Sequence, residues 1–253
     1  MGKIISVVNQ KGGVGKTTTA VNLGAYLAYH GKEVLLVDID PQANATSGLG
    51  IDHRNLAHGI YEAIIGVKPV YDIIKRTLQD GYKVAPSTIS LAGAGVELVN
   101  MSDREFRLKN ILDAIKEEYD YIIIDGPPSV GLLTINSLVA ADQVLIPIQS
   151  EYYALEGLGQ LLETISLVQN NLKPDLNILG ALITMFDRRN RLSGSVMQEL
   201  YQYFPNRVLR TVIPRSVRLA EAPSFGRSIL HYDPESRGGR AYEKLAREII
   251  DLN

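Results

Sequence analysis

The segment VVNQKGGVGKTTTA, Val7 to Ala20, leaves this chain few folds to choose from. It completes an apolar run, Lys3–Asn9, that reads as a buried strand, and it leads into Thr17–His30, which reads as a helix stopped by Gly31. A glycine-rich turn between strand and helix gathers backbone amides and the positive end of the helix dipole at one point, where an anion binds. The spacing nearly matches G-x-x-x-x-G-K-[ST], a loop that cradles phosphates. Gln10 stands where the first glycine belongs, and a second lysine, Lys11, precedes Gly12-Gly13.

The rest of the chain repeats the same alternation. Glu33–Asp38, Tyr82–Ala85, Tyr121–Asp125, Gln143–Ile148, Ile178–Met185 and Val208–Ile213 read as strands. Arg104–Glu118, Leu132–Ala141, Leu155–Leu172, Ser195–Tyr203 and Glu235–Leu252 read as helices, while 41–103 is less regular. Continuous apolar strands alternating with helices predict an α/β fold: a mostly parallel, twisted sheet with helices on both faces. No linker or repeat interrupts residues 1–253, so one domain is expected.

Composition removes several classes of chemistry. There are no cysteines, which excludes disulfides, thiolate metal sites and cysteine nucleophiles. No signal-peptide pattern and no apolar run of membrane-spanning length is present, so a cytoplasmic protein is expected. His30, His53, His58 and His231 lack ligand-like spacing, and no Ser-His-Asp arrangement is visible. Formal charge is -2, unevenly spread: residues 1–180 carry 14 bases and 20 acids, residues 181–253 carry 12 and 8, and 11 of those 12 bases are arginine. From charge alone, those arginines are either a solvated surface or a set of phosphate forks.

In the loop, the amides of Gly12, Gly13, Val14 and Gly15 would face the phosphates, with Lys16 on the outer ones. The Thr17 hydroxyl would ligate Mg²⁺, and Thr18 would reach the α-phosphate. Two further apolar runs end in acids: LLVDID gives Asp38 and Asp40, and YIIID gives Asp125. Ligands bind at the carboxyl edge of a parallel sheet, so Asp40 and Asp125 join Thr17 as candidate metal residues. A strand-end aspartate alone could equally cap the next helix.

The K-G-G-x-G-K-T-T loop, D-x-D-P-Q-x-N (Asp38–Asn44) and the D-x-P-P strand end resemble the deviant Walker-A ATPases. NATSGLG, LTINSL, EYYALEG and VIPRSVRLAEAPSFG extend the resemblance, over essentially the whole chain, to the ParA/Soj partitioning ATPases. The resemblance implies a P-loop fold, ATP and Mg²⁺, and a homodimer that sandwiches ATP. Lys11 would then reach the phosphates bound by the opposite subunit, which accounts for the extra lysine. It also implies that Asp40 activates water, that Asp38 orients the magnesium cluster, and that Asp125 holds Mg²⁺ through water. Pro214 and Ser216 would line the adenosine, although relatives often carry asparagine at the latter position. Gly12 and Glu151, with Lys11, would meet the dimer partner.

The same resemblance implies non-specific binding to double-stranded DNA, nucleoid association, and slow hydrolysis stimulated by a ParB-type centromere-binding protein. Arg188, Arg189, Arg191 and Arg218 are the candidate DNA-binding residues. Dimerisation would double the phosphate contacts, each releasing about 0.9 counterion. Two alternatives stay open: a MinD-like membrane-associated positioning ATPase, and a switch acting on a replication-initiation partner. Leu245, Ile249 and Leu252 have core-like spacing, and an arrangement without membrane contact is expected.

Overall fold

The computed structural model describes residues 2–150, 156–187, 189, 200–202, 204 and 207–253. Its eight described strands are β1 (Lys3–Val7), β2 (Val34–Asp38), β3 (Lys75–Arg76), β4 (Tyr82–Ala85), β5 (Tyr121–Asp125), β6 (Gln143–Gln149), β7 (Asn177–Phe186) and β8 (Val208–Pro214). They form one sheet in the order β3-β4-β2-β5-β1-β6-β7-β8. Every pairing among them is parallel except that of β3 with β4.

The uninterrupted apolar runs follow from burial on both faces. Along β1, β2 and β5, Ile4, Leu35, Val37, Ile122 and Ile124 enter one core. The alternate residues Ile5, Val7, Val34, Leu36 and Ile123 enter the other. Helix α1 (Lys16–Tyr29) and the helix Arg237–Leu252 cover the second face, joined by a buried bond between Thr19 Oγ1 and Tyr242 Oη at 3.2 Å. Leu108, Leu112, Leu138, Leu158 and Leu161, from the helices Arg107–Asp113, Leu132–Ala140 and Glu156–Asn171, fill the first.

Several expectations are corrected. The first strand stops at Val7, because the Asn9 side chain turns to bond backbone at two places. Arg104–Glu118 is not one helix: it divides into Arg107–Asp113 and a 3-10 turn, Lys116–Glu118. Leu245 and Ile249 are fully buried, but Leu252 is 54% exposed and lies outside the core. Most of the expected helix Ser195–Tyr203 lies outside the described residues.

Candidate active site

β1 sits between β5 and β6, so the loop that follows it emerges at the carboxyl edge between two strands that both end in polar residues. Asn9 anchors its start: Nδ2 donates to the Pro147 carbonyl at 2.7 Å, and Oδ1 accepts from the Lys11 amide at 3.0 Å. Buried Thr184, on β7, donates to the Val14 carbonyl at 2.7 Å. Gly13 and Gly15 have φ of 75° and 91°, which side chains other than glycine rarely adopt. The loop is therefore held by its own backbone and by two polar bonds that each span more than 130 positions of sequence.

Lys16 crosses back over this loop, its Nζ donating to the Lys11 carbonyl at 3.2 Å. Burial lowers its pKa, and the Asp125 and Asp40 charges oppose that shift. A phosphate at the loop would supply the negative charge that a buried ammonium lacks.

The acids behave differently from one another. Asp38 is fully buried and accepts three hydrogen bonds, from Thr46 N at 2.8 Å, Thr46 Oγ1 at 2.6 Å and Asp40 N at 3.1 Å. Burial nevertheless pushes its pKa up to about 6. Asp40 Oδ1 accepts from the Gln42 amide at 2.9 Å, and its carbonyl accepts from Ser87 Oγ at 2.7 Å. Asp125 is completely buried, and among the described residues neither carboxylate oxygen has a hydrogen-bond partner. Burial first, then the Asp38 charge, raises its pKa well above the ordinary range, while the nearby Thr17 hydroxyl and Lys16 charge pull the other way.

A buried carboxylate without partners beside a phosphate loop fits a magnesium ion and its water. Thr17, Asp40 and Asp125 offer hard oxygen donors only, the chemistry Mg²⁺ prefers. Among the described residues no three His, Asp or Glu side chains converge into a self-sufficient metal cage. Such an ion would take its remaining ligands from water and substrate.

Gly12, Gly13, Gly15, Lys16, Thr17, Thr18 and Asp40 line one cavity of about 670 Å³, large enough for a nucleotide-sized ligand. Lys11, Val14, Asp125, Pro214 and Ser216 are not part of that wall. Pro214 closes β8 opposite Phe186, and Ser216 precedes the short helix Val217–Glu221 without capping it. The lining also includes Ala222, Pro223, Ser224 and Arg227, together with Gln42, Asn44 and Ser47. Nothing in the sequence alone singles out Asn9, Ser87 or Thr184 for this site. Thr46 carries a signal only through its place in NATSGLG.

The candidate DNA residues are only partly described. Arg188, Arg191 and Glu151 lie outside the described residues. Arg189 is 91% exposed at its side chain and paired with Asp187 at 3.0 Å. Arg218 is paired with Glu221 at 3.1 Å and Asp233 at 3.4 Å.

Known proteins resemble this chain along its whole length. A family model described as an AAA domain matches residues 2–178. The sporulation initiation inhibitor protein Soj of Bacillus subtilis (strain 168) is 59% identical over 249 residues, 98% of either chain. The chromosome partitioning protein ParA of Myxococcus xanthus (strain DK1622) is 53% identical over 250 residues, 99% of this chain and 88% of that one. A solved Mycobacterium smegmatis protein described as a cobyrinic acid a,c-diamide synthase, with bound ADP and magnesium, superposes with a TM-score of 0.88 at 38% identity. That superposition covers 99% of this chain and 94% of the other.

Proposed function

Because the chain belongs to the ParA/Soj family of chromosome-partitioning ATPases, we propose that it is an ATP-driven switch in DNA segregation. ATP binding assembles a sandwich dimer, the dimer holds DNA without sequence preference, and hydrolysis stimulated by a ParB-type partner releases it. The observation that carries the ATPase reading is Asp125, a buried carboxylate with no hydrogen-bond partner among the described residues, beside the Lys16 loop.

In this reading the Gly12–Gly15 amides and the α1 amino terminus bind phosphate oxygens, and Lys16 neutralises the outer ones. Thr17, Asp40 and Asp125 hold Mg²⁺, which when bound offsets phosphate charge. Asp40 orients the attacking water and takes its proton. Its main chain is pinned by Ser87 and by Asp38, which suits a residue that must keep a fixed place. Lys11 lies at the loop's exposed front, half-buried, and serves the partner's phosphates in trans. Arg189 and Arg218, exchanging their carboxylate partners for DNA phosphates, supply part of the salt-dependent binding.

The test is binding to random duplex DNA and to anionic liposomes with ADP or ATP, using Asp40→Ala to hold the ATP state. ATP-dependent DNA binding that weakens steeply with salt, without liposome binding, is expected. Liposome binding without DNA binding would replace this reading with a membrane-positioning one. No described helix is long and apolar enough to cross a membrane.

A further inference from the structure

The cavity has a second cation far from the lysines in sequence. Arg227 lines it beside Pro223 and Ser224, and among the described residues its guanidinium makes no hydrogen bond or ion pair. Arg189 and Arg218, by contrast, are both held by carboxylates. Arg227 also borders a much smaller neighbouring cavity with Ser228 and His231, and burial, and after it the Arg227 charge, holds His231 below its ordinary pKa.

Backbone packing fixes where Arg227 starts. The preceding residue, Gly226, has φ of 62°, and Gly50 has φ of 80°. A Cβ on Gly226 would fall 2.6 Å from Gly50 Cα, and one on Gly50 would fall 3.0 Å from the Gly226 carbonyl oxygen. The Arg227 amide donates to the Ala222 carbonyl at 3.2 Å, and the Gly226 amide to the Pro223 carbonyl at 3.0 Å. The segment after Asp40 and the segment carrying Arg227 thus touch main chain to main chain.

We propose that Arg227 binds the nucleoside half of the nucleotide, through its sugar hydroxyls or the face of its base. The proposal rests on the nucleotide reading of the loop. The phosphate end is already served by Lys16, the loop amides and the α1 amino terminus. A guanidinium offers five donors and a flat face, suited to sugar oxygens and to stacking on a base. The neighbouring wall of Ala222 and Pro223 carries no charge that would compete for it.

The experiment is calorimetric titration of the full chain with ATP, ADP and inorganic tripolyphosphate in magnesium, for wild type, Arg227→Ala and Arg227→Lys. Arg227→Ala is expected to weaken ATP and ADP about 10-fold, the size of one charge-assisted hydrogen bond. Tripolyphosphate affinity and the ligand-free melting temperature should stay unchanged, and Arg227→Lys should recover part of the loss. Equal losses for ATP and tripolyphosphate would move Arg227 to the phosphate end and overturn the proposal. Unchanged ATP and ADP affinity in Arg227→Ala would also overturn it. A wild-type chain that binds neither ATP nor tripolyphosphate would remove the nucleotide reading itself, and this inference with it.

Discussion

Asp38 and Asp125 stand side by side in register at the carboxyl ends of β2 and β5, both fully buried, yet among the described residues only Asp38 finds hydrogen-bond donors. Two carboxylates cannot share such a site cheaply unless something cationic arrives. The arrangement opposes ionisation of the pair, and a magnesium ion would relieve that opposition.

Asp125→Asn should therefore stabilise the ligand-free protein while disabling it. Removing a buried, unpaired acid is expected to raise the ligand-free melting temperature by about 2–4 °C, the response to about 1 kcal/mol in a chain of this size. The further rise on adding ATP with magnesium should disappear. Thermal scans with and without ligand check both; a lower ligand-free melting temperature would contradict this account of Asp125.

The pKa of Asp38 is raised, from 3.8 to about 6, so the folded state binds the proton more tightly than the unfolded one. Its contribution is then fully present below about pH 4 and is lost as pH rises towards and through 6. Asp38→Asn lacks that titration. Its stability relative to wild type should improve by about 3 kcal/mol between pH 4 and 7, as an order of magnitude. Urea unfolding of both proteins across that range measures it, and a flat difference would exclude the shift.

Thr46 is bonded on both sides: its hydroxyl donates to Asp38 at 2.6 Å and accepts from the Ser87 amide at 2.9 Å. Thr46→Val keeps the shape and strands both partners in a buried site. A loss of about 2–3 kcal/mol is expected, or roughly 5–10 °C in melting temperature. Thr46→Ser, which keeps the hydroxyl, should recover most of it.

Arg189 is clamped by Asp187 through two guanidinium nitrogens, at 3.1 and 3.0 Å, and the pair is exposed. The Arg189 side chain holds Asp187 at a pKa of about 2, so the carboxylate stays charged at any working pH. Asp187→Asn should release the arginine and raise affinity for random duplex DNA several-fold at low salt. Arg189→Ala should lower it and reduce the magnitude of the salt slope by about 0.9 for each phosphate no longer neutralised. Unchanged slopes in both variants would take Arg189 off the DNA face.

The phosphate loop, the acid-tipped strands and the alternation of strand with helix were legible because each is a local pattern. A glycine-rich turn, a lysine at fixed spacing and an apolar run of five residues need only their neighbours in the chain to be recognised. Other expectations failed for equally physical reasons: Asn9 ends β1 through bonds to Pro147 and Lys11, Arg104–Glu118 divides into a helix and a 3-10 turn, and the spacing of Leu252 does not by itself bury it.

Local chemistry along the chain was enough to place a candidate phosphate site at the edge of a parallel sheet, because the loop's glycines, lysine and threonine lie close together in the chain. Which distant residues complete that site depended on how the strands and helices pack. Strand order sets Asp38 against Asp125 and brings Thr184 under Val14, while loop packing closes Gly226 onto Gly50. Those pairs join residues 87 to 176 positions apart, and local preference carries no information across such distances. They exist because a sheet buried on both faces admits one packed arrangement of its strands and covering helices.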